Sequence, residues 1–126
     1  MPEICANSVL LVDPEPSIRN LLSILLEKAG FQAIHAEDGI DALVKLRHTL
    51  PRVIISELQI PRMSGFEFIA VVRRHFPTIP IIVFTASKVK EFPAEGKPDF
   101  LLQKNVHPLS DLVQVVNDLA RKTPTS

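Results

Sequence analysis

Short runs of consecutive apolar residues alternate along this chain with segments whose apolar residues recur at helical spacing. A run that is apolar without alternation predicts a strand buried on both faces, and such strands occur in parallel sheets that helices cover on both sides. Runs of this kind lie at residues 8–12, 52–56, 79–85 and 99–103, and residues 31–35 ("FQAIH") are predicted to form a further strand. The alternation therefore predicts an α/β fold with a five-stranded parallel sheet.

The segments between the runs predict the covering helices. Helical spacing extends over residues 17–29, from Asp38 to about Pro51, and over residues 64–77 and 109–121. Right-handed crossovers then give a doubly wound, flavodoxin-like sandwich of three layers, α/β/α.

The crossover between the fourth and fifth strands differs from the others. Pro93, Gly96 and Pro98 interrupt its helical spacing, and such residues break helices. We therefore expect a shortened helix at this fourth position.

Two helix starts carry capping signals. Asp38 predicts an N-cap, and "SGFE" (64–67) fits the capping box of a serine followed three residues later by glutamate. Spacing also predicts the inward face of the second helix, formed by Ile40, Leu43, Val44 and Leu46.

Length and charge exclude several classes of protein. At 126 residues the chain is sized for one domain, with a core at about residues 8–122 and a tail at 123–126. Fourteen acidic and fourteen basic residues cancel, so nothing favours binding to nucleic acid. No apolar run reaches the roughly 18 residues of a membrane-spanning helix, and the start, "MPEICANS", lacks the features of a signal peptide. We expect a cytoplasmic protein.

Polar residues follow four of the predicted strands, at the edge where an open α/β sheet keeps its ligand site. They are Asp13, Glu57, Thr85 with Ala86, and Gln103 or Lys104. Individually, such residues are usually turn formers, strand-end hydroxyls or surface lysines. Together, two carboxylates, a hydroxyl and an ammonium group offer oxygens to Mg²⁺ and donors to a phosphoryl group.

Nearly the whole chain, from about residue 8 to residue 120, resembles the receiver domain of two-component response regulators, the CheY-like family. Four segments carry the resemblance: "VLLVDPEPSIRNLL", "VIISELQIPRMSGFEF", "IPIIVFTAS" and "LLQKNVHP". The resemblance implies a cytoplasmic bacterial signalling domain. Its partners would be proteins, namely a histidine kinase, an effector or another domain of a signalling system, and this domain would contact neither nucleic acid nor membrane.

The resemblance also implies roles for the strand-end residues. In the family, an acidic pair after the first strand and a phosphoacceptor aspartate after the third hold Mg²⁺. The corresponding set here is Asp13, Glu57 and the backbone carbonyl near Gln59. A hydroxyl after the fourth strand and a lysine after the fifth bind the phosphoryl oxygens, which implies Thr85, Ala86 and Lys104.

The chain departs from the family pattern at four places. Glu57 stands where the family has aspartate, Pro14 replaces the second acid of the pair, and Asn105 replaces the proline that follows the lysine. The segment from Thr85 to Lys104 is about one helical turn short.

The position of the lysine stays open. Counting forward from the preceding glycine gives Gln103, whereas counting back from the following proline gives Lys104, which we prefer. The choice also sets the switch residues that would act with Thr85, because the aromatic position on the fifth strand is Leu101 in the second case and Phe100 in the first.

These departures predict a pseudo-receiver, a phosphorylation-independent interaction module that is not an enzyme. A glutamate carboxylate reaches about 1.3–1.5 Å further than that of aspartate, and misplacement by about 1 Å can cost on the order of 100-fold in rate. With Pro14 in place of an acid, we expect Mg²⁺ binding to be weak or lost and no cofactor to be required. Glu57 would be a permanent mimic of the phosphorylated state or the inert partner of the lysine.

Two alternatives stay open. In the first, Glu57 still forms an acyl phosphate within a phosphorelay, with Asp13 and water holding Mg²⁺. In the second, the same sandwich binds a small molecule or hydrolyses one, although no glycine-rich phosphate loop or nucleophile–base pair supports this hypothesis.

Overall fold

Five parallel strands form the centre of the molecule. The structure is a computed structural model that describes residues 3–122, and the predicted tail at 123–126 lies outside the described residues. The strands are β1 (Glu3–Val12), β2 (Gln32–Ala36), β3 (Thr49–Ser56), β4 (Ile81–Thr85) and β5 (Phe100–Gln103). The helices are α1 (Pro16–Lys28), α2 (Gly39–Leu46), α3 (Gly65–His75) and α4 (Leu109–Lys122).

The strand order is β2-β1-β3-β4-β5, and every neighbouring pair is parallel. This is the doubly wound order of flavodoxin-like sheets, so the predicted fold class is confirmed. In such sheets ligand sites lie beyond the carboxyl ends of the strands, where the strand order reverses. Here the reversal lies between β1 and β3, the two strands that Asp13 and Glu57 follow.

Each face of the sheet buries its own apolar cluster. Helices α1 and α4 cover one face through Leu22, Leu26, Leu112 and Val116. Helices α2 and α3 cover the other through Ala42, Leu46, Phe68 and Ile69. Because both faces are covered, residues 8–12 of β1, residues 53–56 of β3 and the whole of β4 are buried, and this burial is the physical origin of the continuous apolar runs in the sequence.

Both predicted helix caps are confirmed. The Asp38 carboxylate accepts a hydrogen bond from the amide of Asp41 at 2.7 Å. The Ser64 hydroxyl accepts one from the amide of Glu67 at 3.1 Å. The second cap fixes the start of α3 and, with it, the end of the loop that begins at Glu57.

The predicted inward face of α2 is wrong at two of its four positions. Ile40 and Val44 are exposed, and the buried residues of this helix are Gly39, Ala42 and Leu46. The helix also ends at Leu46, before the predicted end near Pro51. Two of the three buried positions carry small residues, which a count of large apolar residues at helical spacing does not detect.

The crossover between β4 and β5 contains a single 3₁₀ turn, Ala94–Gly96, which is shorter than the helix predicted there. This turn lies directly against α3, because a Cβ atom built on Gly96 would be 3.3 Å from the carbonyl oxygen of Phe66. Phe92 packs beside it, with its ring centroid 5.5 Å from that of Phe66. The crossover thus covers the sheet with a loop.

Arg73 on α3 fixes this loop. Its Nε and Nη2 atoms donate to the carbonyl oxygen of Lys97 at 3.0 and 2.8 Å, and its Nη1 donates to that of Ile79 at 3.1 Å. Its Nη2 also forms an ion pair of 2.8 Å with Asp99. The same Asp99 oxygen accepts a hydrogen bond from the amide of Ile81 at 2.7 Å, so the guanidinium joins α3, the loop and the start of β4.

We predict that Arg73→Ala lowers the free energy of unfolding by about 1–3 kcal/mol, because it leaves charge-assisted hydrogen bonds unmade. Arg73→Lys should restore only part of this loss, since an ammonium group cannot reproduce the planar fork of a guanidinium. Urea denaturation measures both. Arg74→Ala, at an exposed neighbouring position, is the matched control, and a loss no larger than that of the control would contradict the proposed role of Arg73.

Candidate functional site

Three charged side chains meet beyond the carboxyl edge of the sheet. Lys104 Nζ lies 2.8 Å from Asp13 Oδ2 and 3.0 Å from Glu57 Oε1. The side chains are nearly buried, with exposed fractions of 14% for Lys104, 7% for Asp13 and 9% for Glu57. We refer to these three residues as the charged triad.

Strand pairing brings the triad together. The amide of Glu57 donates to the carbonyl of Val12 at 2.9 Å, which extends the pairing of β1 and β3 by one residue. Asp13, directly after Val12, therefore lies beside Glu57. The amide of Lys104 donates to the carbonyl of Thr85 at 2.9 Å and extends the pairing of β4 and β5 in the same way.

The Glu57 carboxylate folds back onto its own chain. Oε2 accepts hydrogen bonds from the amides of Leu58 at 2.5 Å and Gln59 at 3.2 Å, while Oε1 contacts Lys104. Burial by itself raises the pKa of Glu57, but the hydrogen bonds from Thr85, Lys104 and the Gln59 amide, with the charge of Lys104, outweigh burial and hold the pKa below its ordinary value. Glu57 is therefore ionised at neutral pH.

Lys104 is charged as well. Burial lowers the pKa of its ammonium group, but the hydrogen bonds to Asp13 and Glu57 and the charges of these two residues outweigh burial and raise the pKa above its ordinary value. The ring centroid of Phe84 lies 5.8 Å from Nζ, within the range of a cation–π contact. Two carboxylates and an aromatic ring thus surround the ammonium group.

The second carboxylate is also held by backbone. Asp13 Oδ1 accepts a hydrogen bond from the amide of Glu15 at 3.0 Å, across Pro14. The guanidinium of Arg19 donates to the backbone carbonyl of Asp13, and its Nε donates to His35 Nδ1 at 3.3 Å. Arg19 adds a second positive charge beside the triad. No local pattern predicts this role of Arg19, because a polar residue at helical spacing is typical of any exposed helix face.

A close backbone contact fixes the loop after β3. A Cβ atom built on Gly65 would lie 2.6 Å from Leu58 Cα and 3.0 Å from the carbonyl oxygen of Glu57. A residue with a side chain therefore cannot occupy the start of α3 unless this loop shifts. Spacing arguments do not detect Gly65, although the glycine of "MSG" belongs to a segment that carries the family resemblance.

The two candidates for the lysine position point to different places. The Gln103 side chain donates to the carbonyl oxygen of Ser87 at 3.2 Å, whereas Lys104 reaches Asp13 and Glu57. The structure therefore brings Lys104, and not Gln103, to the carboxylates.

The remaining predicted site residues lie around the triad. The Thr85 hydroxyl is buried and accepts a hydrogen bond from the Ser87 amide at 3.1 Å. Gln59 is exposed, and its side-chain Nε2 lies 3.4 Å from the Ser87 hydroxyl. Ala86 follows β4 and is exposed.

The two candidate switch residues differ in burial. Leu101 is half-buried and packs against the apolar cluster under α2 and α3. Phe100 is 42% exposed.

The donors at this edge do not fit Mg²⁺. Within the described part of the chain, no three His, Cys, Asp or Glu side chains group so that they could hold a metal ion. Mg²⁺ demands a near-octahedral set of oxygens at about 2.0–2.1 Å, but every oxygen of the two carboxylates already accepts a hydrogen bond.

Among residues 3–122, no helix has the length and apolar character needed to cross a membrane.

Comparison with known proteins places the chain in a family. Residues 9–116 match the response regulator receiver domain. The chain belongs to this family. An uncharacterised 14.6 kDa protein of Leptolyngbya boryana is 32% identical over 129 residues, which cover 98% of each chain. Among solved structures, the chemotaxis response regulator CheY4 of Vibrio cholerae has a TM-score of 0.78 and 32% identity, covering 89% of this chain and 97% of that one.

Other relatives of this receiver domain are longer. Response regulator Rre1 of Synechocystis is 31% identical over 94% of this chain, but the match covers 54% of Rre1. The chain spans 59% of Protein PilG from Pseudomonas aeruginosa and 41% of the regulatory protein PhoB from Klebsiella pneumoniae. The chain thus spans about half the length of these curated relatives, and it is a receiver domain of the two-component response-regulator type.

The lowered pKa of Glu57 predicts how stability depends on pH. In the unfolded chain a glutamate titrates near its ordinary pKa of about 4.3, and in the folded protein Glu57 titrates lower. The resulting stabilisation is fully present above about pH 4.3 and is lost as the pH falls through the folded value. Unfolding of the wild type and of Glu57→Gln over this range measures it. The difference between the two should shrink on acidification, and a difference that stays constant or grows would contradict the lowered pKa.

Proposed function

We propose that this receiver domain is a pseudo-receiver, an interaction module of a bacterial two-component system that works without phosphorylation. One observation carries the proposal: both carboxylate oxygens of Glu57, the residue at the phosphoacceptor position, are held by donors of the protein itself. The domain is then not an enzyme, and its output depends on which proteins it contacts.

This arrangement opposes phosphoryl transfer. An attacking oxygen must approach the phosphorus in line at about 3–3.5 Å, yet Oε1 of Glu57 faces Lys104 and Oε2 faces the amides of Leu58 and Gln59. In the family, the lysine neutralises charge on the transferring group, a contribution made by preorganised electrostatics. Here two carboxylates already occupy Lys104. Attack would therefore require that several charge-assisted hydrogen bonds break first.

Of the two roles expected for Glu57, the contacts favour the inert partner over the mimic of phosphorylation. A mimic needs a negative charge that remains uncompensated. The charge of Glu57 is compensated by Lys104 at 3.0 Å.

The structural elements that move in the family's switch are also altered in this chain. The half-buried position on β5 holds Leu101, which has no polar tip to favour exposure, and the crossover before it contains only a 3₁₀ turn that Arg73 fixes. A ligand shifts an equilibrium only by its differential affinity for two states. We therefore propose a single conformation whose partner binding is independent of phosphate.

The remaining parts of the proposal follow from the family. Receiver domains typically use Mg²⁺, but we propose that this one requires no cofactor. Its partners would be a histidine kinase, an effector or another domain of a signalling protein, in the cytoplasm.

Incubation with acetyl phosphate and Mg²⁺ tests the loss of phosphorylation. We predict that the intact mass of the wild type stays unchanged. The double variant Pro14→Asp/Glu57→Asp should gain one phosphoryl group, because it restores the family's acids and shortens the acceptor. A phosphoryl group on Glu57 of the wild type would contradict the proposal and would support the alternative, a phosphorelay acceptor.

Beryllofluoride, an analogue of the phosphoryl group, tests the loss of the switch. We predict that it causes no saturable change in the amide NMR signals of Thr85, Leu101 or residues 86–98 in the wild type. The double variant, which restores the acids of the family, is the positive control for binding of beryllofluoride at the site. Concerted changes at these positions of the wild type would mean that a switch survives.

A further inference from the structure

We infer that Lys104 serves as the resident cation of this site and closes it to divalent ions. The inference deepens the proposed function and rests on it, since a site that needed Mg²⁺ for phosphorylation could not be closed in this way. It also yields a result that a merely degenerate site would not: removal of one positive charge should create a metal site.

The position of the ammonium group carries the inference. Lys104 Nζ takes one oxygen from each carboxylate, at 2.8 Å from Asp13 and 3.0 Å from Glu57. A divalent ion that used both carboxylates would need the space between these two oxygens. It would therefore have to displace the ammonium group or lie beside it, where like charges repel.

A backbone hydrogen bond and an aromatic ring hold Lys104 in place. The amide of Lys104 is bonded to Thr85 on β4, and its Nζ lies over the ring of Phe84 on the same strand. The side chain is only 14% exposed. The ammonium group is therefore part of the packed structure, unlike a surface lysine that a metal ion could displace at little cost.

The rest of the site offers a divalent ion few contacts to replace those that it would break at Lys104. The outer oxygens, Asp13 Oδ1 and Glu57 Oε2, accept backbone amides. Arg19 donates to the carbonyl oxygen of Asp13, so a second positive charge lies near the acids. Proline at position 14 supplies no side-chain ligand.

Substitution of Lys104 should open the site to a divalent ion. In Lys104→Met the apolar chain is retained over Phe84, but two neighbouring carboxylates lose the ammonium group that lies between them, and a divalent cation can take its place. We expect Lys104→Met to bind Mn²⁺ at least about tenfold more tightly than the wild type does.

The experiment is a titration with Mn²⁺ alone, followed by the electron paramagnetic resonance signal of the free ion. Lys88→Met, at an exposed lysine of the following loop, is the control and should behave like the wild type. Lys104→Met/Glu57→Gln should lose the added affinity, which assigns it to this site. Equal affinity for wild type and Lys104→Met would overturn the inference.

A second measurement keeps the inference testable if Lys104→Met does not fold. In the wild type, Mn²⁺ in the low-millimolar range should leave the amide NMR signals of residues 13 and 57 unbroadened, and selective broadening there would overturn the inference. No phosphodonor is present, so this result is separate from the phosphorylation test. A wild type that binds Mn²⁺ but is not phosphorylated would refute this inference alone, and one that is phosphorylated would refute the proposed function.

Discussion

The contact of one ammonium group with two carboxylates is the constraint on which the rest of the site depends. Transfer of a charged group out of water costs several kcal/mol per ion, so a nearly buried charge persists only where partners compensate it. Lys104 compensates Asp13 and Glu57 at once, and backbone amides satisfy the outer oxygens. Removal of one partner from a buried pair typically costs about 3–5 kcal/mol, because the other charge remains without compensation. The triad therefore ties the ends of β1, β3 and β5 together.

Under the proposed function, the same contact explains how a receiver fold can persist without receiver chemistry. A working site has to leave room for a metal ion and for a transferring group, and so it keeps acids close together at a cost in repulsion. Here Pro14 removes one acid, and the longer side chain of Glu57 folds back to reach the amides of Leu58 and Gln59. The crossover between β4 and β5 contains only a 3₁₀ turn, and this is consistent with the proposal. A crossover with no switch to move needs only cover the sheet, and the contacts of Arg73 hold a loop in that place.

Much of this structure could be predicted from the sequence, for physical reasons that particular elements illustrate. The strands were predictable because burial on both faces leaves continuous apolar runs, and Asp13, Glu57 and Lys104 were predictable as strand-end residues because parallel strands bring their carboxyl ends to one edge. The inward face of α2 was only partly predictable, since spacing counts large apolar residues, whereas two of the three buried residues of this helix are Gly39 and Ala42. The choice between Gln103 and Lys104 depended on the register of β4 with β5, which pairs Thr85 with Gln103. Gly65 and Arg19 act through tertiary contacts that leave no local pattern.

The ammonium group of Lys104 can be observed directly, and this measurement tests the central claim most closely. In ¹H–¹⁵N NMR spectra of the lysine ammonium groups at neutral pH, a group held by two carboxylates should exchange its protons with water slowly. We predict one slowly exchanging signal that disappears in Lys104→Met and exchanges faster in Glu57→Gln. A Lys104 signal that exchanges as fast as those of exposed lysines such as Lys88, and that does not respond to Glu57→Gln, would contradict the account.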